Sequence, residues 1–184
     1  MCIVESSHES SSSPSLIAST PPGYKFTERA RPLLPNVDLA HIRGPRDGGI
    51  CIFHKNNFQS TIKDLGNFTS FELLSCYFTF RDSHLLIAVI YRPGSEPVTC
   101  TFFSEFTELL SSAAKYSCDL IILGDINIHL DRDIADTKKF NNLLSSHGLV
   151  QLVTGPTHRR GHTLDVVITR PSSLVTEISA ALPS

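Results

Sequence analysis

The chain has 184 residues, 41% of them hydrophobic and 18% charged, with a formal net charge of −2, which is enough for one domain, 1–184, with a sizeable core. That balance excludes a globally basic nucleic-acid binder, so any such binding must come from a local patch or from a metal bridging to phosphate. No apolar stretch approaches membrane-spanning length, no basic leader precedes an apolar run, and the cysteines Cys2, Cys51, Cys76, Cys100 and Cys118 form no Cys-x-x-Cys pair; the expectation is an intracellular protein of nucleus or cytoplasm, with reduced thiols and no membrane partner.

Cys2-Ile3-Val4 is a short apolar segment that ends on a carboxylate, Glu5. Residues 6–20 are serine-rich and predict a flexible loop, closed by turn chemistry at Thr20-Pro21-Pro22-Gly23. Residues 29–35 carry two arginines and two prolines and predict an irregular segment. The run from Gly44 to Gly49 predicts a turn into a strand at Ile50-Cys51-Ile52-Phe53. Residues 71–80, rich in aromatic and apolar side chains, predict another strand.

Residues 85–91 are apolar on both faces, as in a central strand, and Arg92-Pro93-Gly94 stops them. The period then changes: Phe102, Phe103, Phe106, Leu109, Leu110 and Ala113 recur at helical spacing, predicting about three turns with one face on a sheet. A strand at 120–123 follows. Asp136 is placed to cap a second helix, with Phe140, Leu143 and Leu144 inward and Gly148 as its stop. Residues 164–169 predict a further strand and residues 174–182 a last one. Strands alternating with helices, beside strand pairs that lack them, predict a layered α/β protein with mixed sheets. The chain also looks cut, starting within a strand and ending straight after one.

Polar groups gather where the apolar runs stop. In Asp119-Leu-Ile-Ile-Leu-Gly124-Asp125-Ile126-Asn127 a buried strand delivers Asp125 and Asn127. In extended chain these would point the same way, offering one carboxylate and one amide to a hard cation or a phosphate. Asp and Asn are equally ordinary turn formers after a strand. Tyr91 and Arg92 end the most apolar strand with a phenol and a guanidinium, both able to donate to anionic oxygens, although an amphipathic tyrosine at a strand rim is the commoner meaning. Residues 155–165 hold Thr157, His158, Arg159, Arg160 and His162 in a hairpin-like loop with a basic tip able to meet a phosphate backbone. The loop leads into Asp165, a carboxylate early in a buried run that needs a partner, structural or catalytic.

Taken in order, apolar-Glu5, Tyr91-Arg92-Pro93, Gly124-Asp125-Ile126-Asn127 and Thr157-His158-x-x-Gly161-x-Thr163-Leu164-Asp165 resemble the endonuclease/exonuclease/phosphatase family. Within it they look most like the apurinic-type endonuclease domain of non-LTR (LINE-type) retrotransposons. The family has phenylalanine where Ile126 stands, and Glu-Thr-Trp where this chain has Glu5-Ser6-Ser7. The resemblance implies a four-layer α/β sandwich of two facing mixed sheets flanked by helices, incomplete at both termini, with the site at the strand ends between the sheets. It implies Mg²⁺ (or Mn²⁺) held by Glu5 and Tyr91 on the scissile phosphate. Asp125 would orient or activate water, Asn127 would hold that water or a phosphate oxygen, and Asp165 would orient a histidine. Arg92, Thr157, His158, Arg159 and Arg160 would meet the DNA backbone.

The family's histidine belongs to a Ser-Asp-His segment after the last strand, where this sequence ends at Ser184; a first strand before Glu5 is absent likewise. The resemblance therefore implies a truncated, retrotransposon-derived DNA endonuclease domain with an incomplete catalytic set. Its alternatives are a non-catalytic remnant that binds nucleic acid or protein, and a phosphatase or phospholipase of the same fold.

Overall fold

Alternation of apolar side chains along the strands decides how the layers stack. The computed structural model describes residues 1–6, 12–30, 49–173, 175 and 178. Strands β1 (Cys2–Val4), β2 (Tyr24–Arg29) and β3 (Ile50–Lys55) form an antiparallel sheet in the order β1-β3-β2. In β3, Ile50 and Ile52 face one way and Cys51 and Phe53 the other. Cys51 and Phe53 pack on Leu16 of a short helix, α1 (Pro14–Ser19). Ile50 and Ile52 pack on Leu74, Cys76, Phe78, Val89 and Tyr91 of a second sheet.

That second sheet holds β4 (Gln59–Ile62), β5 (Glu72–Phe80), β6 (Ser83–Tyr91), β7 (Asp119–Asp125), β8 (Val150–Gln151) and β9 (Asp165–Thr169), in the order β4-β5-β6-β7-β9-β8. Among the described residues only the β6–β7 pair of this sheet is parallel, and the crossover it requires is supplied by α2 (Cys100–Ala113). Leu86, Ala88, Ile90, Leu120, Ile122, Val166 and Ile168 turn away from the small sheet onto α2 and α3 (Ala135–Ser146). The layers therefore run α1, three-stranded sheet, six-stranded sheet, α2 with α3: the four-layer sandwich that the motifs imply, its large sheet mixed and its small one antiparallel. Phe102, Phe106 and Phe140 are fully buried at the helix–sheet seam, where truncation of such a ring to alanine costs about 3–5 kcal/mol.

Local chemistry sets the helix ends. The six residues expected inward on α2 are its buried set, and Thr99 caps the helix by accepting the Phe102 N–H at 3.3 Å. Asp136 does not cap α3: Ile134 holds that position without a side-chain bond. Asp136 lies in the first turn, where a carboxylate is favoured by the helix dipole. Gly148, at φ 65°, ends α3 as expected. The loop expected over 6–20 is corrected at 14–19, where proline opens α1 and Leu16 finds an apolar seat. The strand expected at 174–182 lies, save for 175 and 178, outside the described residues, as do the turn at 44–48 and residues 31–35. Among the described residues no helix is long and apolar enough to cross a membrane.

Candidate functional site

Strand register assembles the site. Glu72 of β5 stands opposite Tyr91 of β6, Tyr91 opposite Asp125 of β7, and Asp125 opposite Asp165 of β9. All four belong to the set that alternates with the helix-facing residues, so they line the face turned toward the small sheet. Above them, Glu5 directly follows β1, whose Cys2 and Val4 pack on the same intersheet core. The Tyr91 hydroxyl donates to Glu5 Oε1, which joins the two sheets at the rim. Glu5 holds a left-handed backbone, φ 53°, uncommon for a side chain of its kind. Of the residues expected from sequence, Glu5, Tyr91, Asp125 and Asp165 come together at one end of the sandwich.

Glu72 was not anticipated. It accepts the Gly49 N–H at 2.8 Å on Oε2, tying the entry of β3 to the large sheet. Its signal was a carboxylate opening an otherwise apolar and aromatic strand, the same signal that singled out Asp165.

Asp125 carries the strongest electrostatic consequence. Burial, with the nearby Asp165 and Glu5 carboxylates adding to it, pushes its pKa from 3.8 up to about 6, against the opposing Asn127 N–H and the Arg92 charge. A partly buried carboxylate with other carboxylates near it favours a proton or a cation at that point. The row's oxygen donors suit a hard divalent ion, and they do not close into a three-ligand cage by themselves. A few oxygen ligands with room left for waters and phosphate is the habit of Mg²⁺, so the residues present fit that ion.

The chain around Asp125 is shaped by two unusual backbones. Gly124 has φ 136°, and a Cβ there would run into Ile90 O across the parallel pair, so only glycine allows β7 to lie so close to β6. Asn127 has φ 49°, a conformation that asparagine tolerates better than most. This corrects the extended reading of Asp125 and Asn127. The strand ends at Asp125, whose Oδ1 accepts the Asn127 N–H at 2.8 Å. The Asn127 amide turns to donate to Arg92 O at 2.8 Å, not to stand beside the carboxylate.

Arg92 is likewise corrected. It is 3% exposed, and its guanidinium donates to Ile126 O at 2.6 Å, Asn127 O at 2.8 Å, Glu96 O at 2.7 Å and Pro93 O at 3.2 Å. A group so enclosed fixes the turn after β7 and offers no fork to a DNA backbone. Thr157 also has a structural task, since its hydroxyl oxygen accepts the N–H groups of Leu164 at 3.0 Å and Asp165 at 3.2 Å. That bond hinges the loop on Asp165. Its tip, His158, Arg159 and Arg160, is exposed, and is closed by Thr157 and His158 N–H groups on His162 O, both at 2.9 Å. His162 itself turns to Asp131, its Nδ1 lying 3.2 Å from Asp131 Oδ2.

No family model matches the sequence, and no curated protein is similar enough in sequence to match it. Solved structures do match. The human Nocturnin catalytic domain with bound sulfate anion superposes at a TM-score of 0.60 and 22% identity, over 92% of this chain and 68% of that one. The endonuclease domain of TRAS1, a telomere-specific non-LTR retrotransposon, gives 0.58 and 16%, over 81% of this chain and 66% of its own length. The 3′ phosphatase NExo from Neisseria, bound to product DNA hairpin, gives 0.53 and 14%, over 93% and 76%. The chain thus spans about two thirds of the length of the first two. Ordered motifs, four layers and these superpositions agree that the chain has the endonuclease/exonuclease/phosphatase fold.

Proposed function

We propose that the chain is a retrotransposon-derived, endonuclease-like domain that hydrolyses a DNA phosphodiester with Mg²⁺, or Mn²⁺ in its place. The observation that carries this reading is the row of Tyr91, Asp125 and Asp165 beneath Glu5, with the Asp125 pKa raised to about 6. A base whose pKa lies near neutrality can take a proton from water and still be ionised at working pH. TRAS1 is named as a retrotransposon endonuclease domain and NExo is bound to product DNA, which favours DNA over a small phosphoester.

In this reading Glu5 holds the metal, which when bound would neutralise charge developing on the phosphate. Tyr91 donates its hydroxyl to the scissile phosphate, and Asp125 orients and deprotonates the attacking water. Asn127 acts through Asp125, fixing one carboxylate oxygen with its backbone N–H. Thr157 acts through Asp165 by holding its backbone. Asp165 retains the role of orienting a histidine, and His162 does not supply that histidine because Asp131 engages it. His158, Arg159 and Arg160 at the exposed tip meet the phosphate backbone.

Supercoiled plasmid tests the assignment. Purified chain with Mg²⁺ should nick it, EDTA should stop the reaction, and Asp125→Asn should slow it about a hundredfold or more. Nicking that survives Asp125→Asn undiminished would discredit the site.

A further inference from the structure

A second group of side chains lies just beyond the row, in the loop that leaves β7 and the loop that enters β9. We propose that His129, Asp131 and His162 form a Zn²⁺ site that staples these two loops together. Each residue offers one ligand atom, and the three atoms lie within 4.8 Å of one another. His162 Nδ1 and Asp131 Oδ2 are 3.2 Å apart, close to the ~3.3 Å edge of a tetrahedron with zinc bonds of about 2.0–2.1 Å. His129 Nδ1 is 3.9 Å from Asp131 Oδ1, and the two imidazoles meet edge to face at 4.4 Å between ring centres.

An independent observation points to a ligand. His129 Nδ1 is buried and has no hydrogen-bond partner among the described residues, and a shielded, unpaired ring nitrogen is costly unless something accepts its lone pair or its proton. A cation among these three groups would take that lone pair. Asp131 is also held ready for the task. Its Oδ1 accepts the Thr163 N–H at 3.0 Å, the kind of outer bond that orients a ligating carboxylate. Two imidazoles with one carboxylate favour zinc over the magnesium preferred by an all-oxygen set, and three protein ligands leave one position for water. The side chains of His129, Asp131 and His162 are 36%, 27% and 23% exposed, so an ion has a way in. The loops already share bonds from Ile126 N–H to Leu164 O at 3.1 Å and from Leu130 N–H to Thr163 O at 3.0 Å. Zinc would lock the segments that continue from Asp125 and lead into Asp165. The site stands apart from the proposed nuclease chemistry and holds or fails independently of it.

The test is zinc titration of the metal-stripped full chain, with bound metal counted after dialysis. With Mg²⁺ in excess to fill the carboxylate rim, one Zn²⁺ per chain is expected, with Tm rising by roughly 5–10 °C at zinc a hundredfold above Kd. His129→Ala and His162→Ala should each weaken zinc by more than about a hundredfold, beyond the ten- to hundredfold typical of outer partners, while His84→Ala should bind it undiminished. A measurement on the unaltered chain guards against variants that fail to fold. Zinc should slow diethylpyrocarbonate modification of His129 and His162 at least about tenfold, and leave His84 and His147 unprotected. A chain that binds no zinc at micromolar concentration, a pair of histidine variants that bind as wild type, or protection absent at His129 and His162 would each overturn the proposal.

Discussion

Replacing Asp125 by asparagine should stabilise the metal-free protein at neutral pH while removing its activity. In the folded chain the Asp125 pKa is about 6, against 3.8 for the ordinary group, so folding favours the protonated acid. The associated stability is complete below pH ~3.8 and is lost as pH rises through about 6. By pH 7.5 a displacement of about two pH units corresponds to at most about 3 kcal/mol. Asp125 is only partly buried, and solvent screens its neighbours, so about 1–3 kcal/mol is the working expectation. Asparagine removes the charge, and its Oδ1 can still accept the Asn127 N–H that Asp125 holds at 2.8 Å. For a chain of this size each kcal/mol moves Tm by about 2–4 °C, so the variant should melt roughly 2–12 °C above wild type in EDTA at pH 7.5. Toward pH 4 the gap should close, because both proteins are then uncharged at that position. Adding Mg²⁺ at pH 7.5 should narrow it as well, since wild type gains from binding what the variant has lost. A variant that melts lower than wild type at pH 7.5, or a gap independent of pH, would refute the idea that burial, with the neighbouring carboxylates adding to it, penalises the Asp125 charge.

Arg92→Ala should cost about 3–5 kcal/mol, because it strips the donors from the carbonyls of Ile126, Asn127, Glu96 and Pro93; a urea midpoint close to wild type would contradict the structural role given to it. Gly124→Ala meets Ile90 O and a φ of 136°, and should lose about 3 kcal/mol or more, read as collapse of the cooperative melting transition. Tyr91→Phe should lower plasmid nicking about a hundredfold, as loss of one donor to an anionic centre does, with Tm shifted by only a few degrees. The double variant Arg159→Ala with Arg160→Ala should lower DNA affinity and flatten its dependence on salt by about two phosphate contacts; an unchanged slope would remove the tip from the interface.

The fold was legible where burial decides structure. The α2 pattern of Phe102, Phe103, Phe106, Leu109, Leu110 and Ala113 is the buried set of that helix, and the doubly apolar stretch at 85–91 is β6, paired on both sides. Strands made by pairing rather than by burial were not legible. Gln59–Ile62 and Val150–Gln151 are the two outer strands of the large sheet, and β4 is mostly exposed. Edge position asks for backbone partners and sets few terms for the side chains. Tyr24–Arg29 is also an outer strand, matched to β3 along its full length. Helix α1 hid within serine-rich composition because a single residue, Leu16, anchors it.

For the site, sequence identified chemical groups but not their directions, and register explains the difference. Asp125 and Asp165 were recognisable because each is a carboxylate at the edge of an apolar run, and pairing of β7 with β9 sets them opposite each other. Nothing local to either segment states that they pair, so the burial that chiefly raises the Asp125 pKa, and the Asp165 charge that adds to it, are properties of the assembled sheet. The directions of Arg92 and Asn127 were not legible for the converse reason. Each is a good phosphate or water ligand by residue type, but the chain turns at Asn127 with φ 49°, which brings the Arg92 guanidinium onto the carbonyls of Ile126 and Asn127 and the Asn127 amide onto Arg92 O. The two residues satisfy one another across the ends of β6 and β7. The donors they would have offered to a substrate instead fix the turn that follows Asp125. Burial beside the Glu5 and Asp165 carboxylates makes the Asp125 charge costly, a cost that a proton or a bound cation relieves, and the pH and Mg²⁺ dependence expected of Asp125→Asn measures that cost directly.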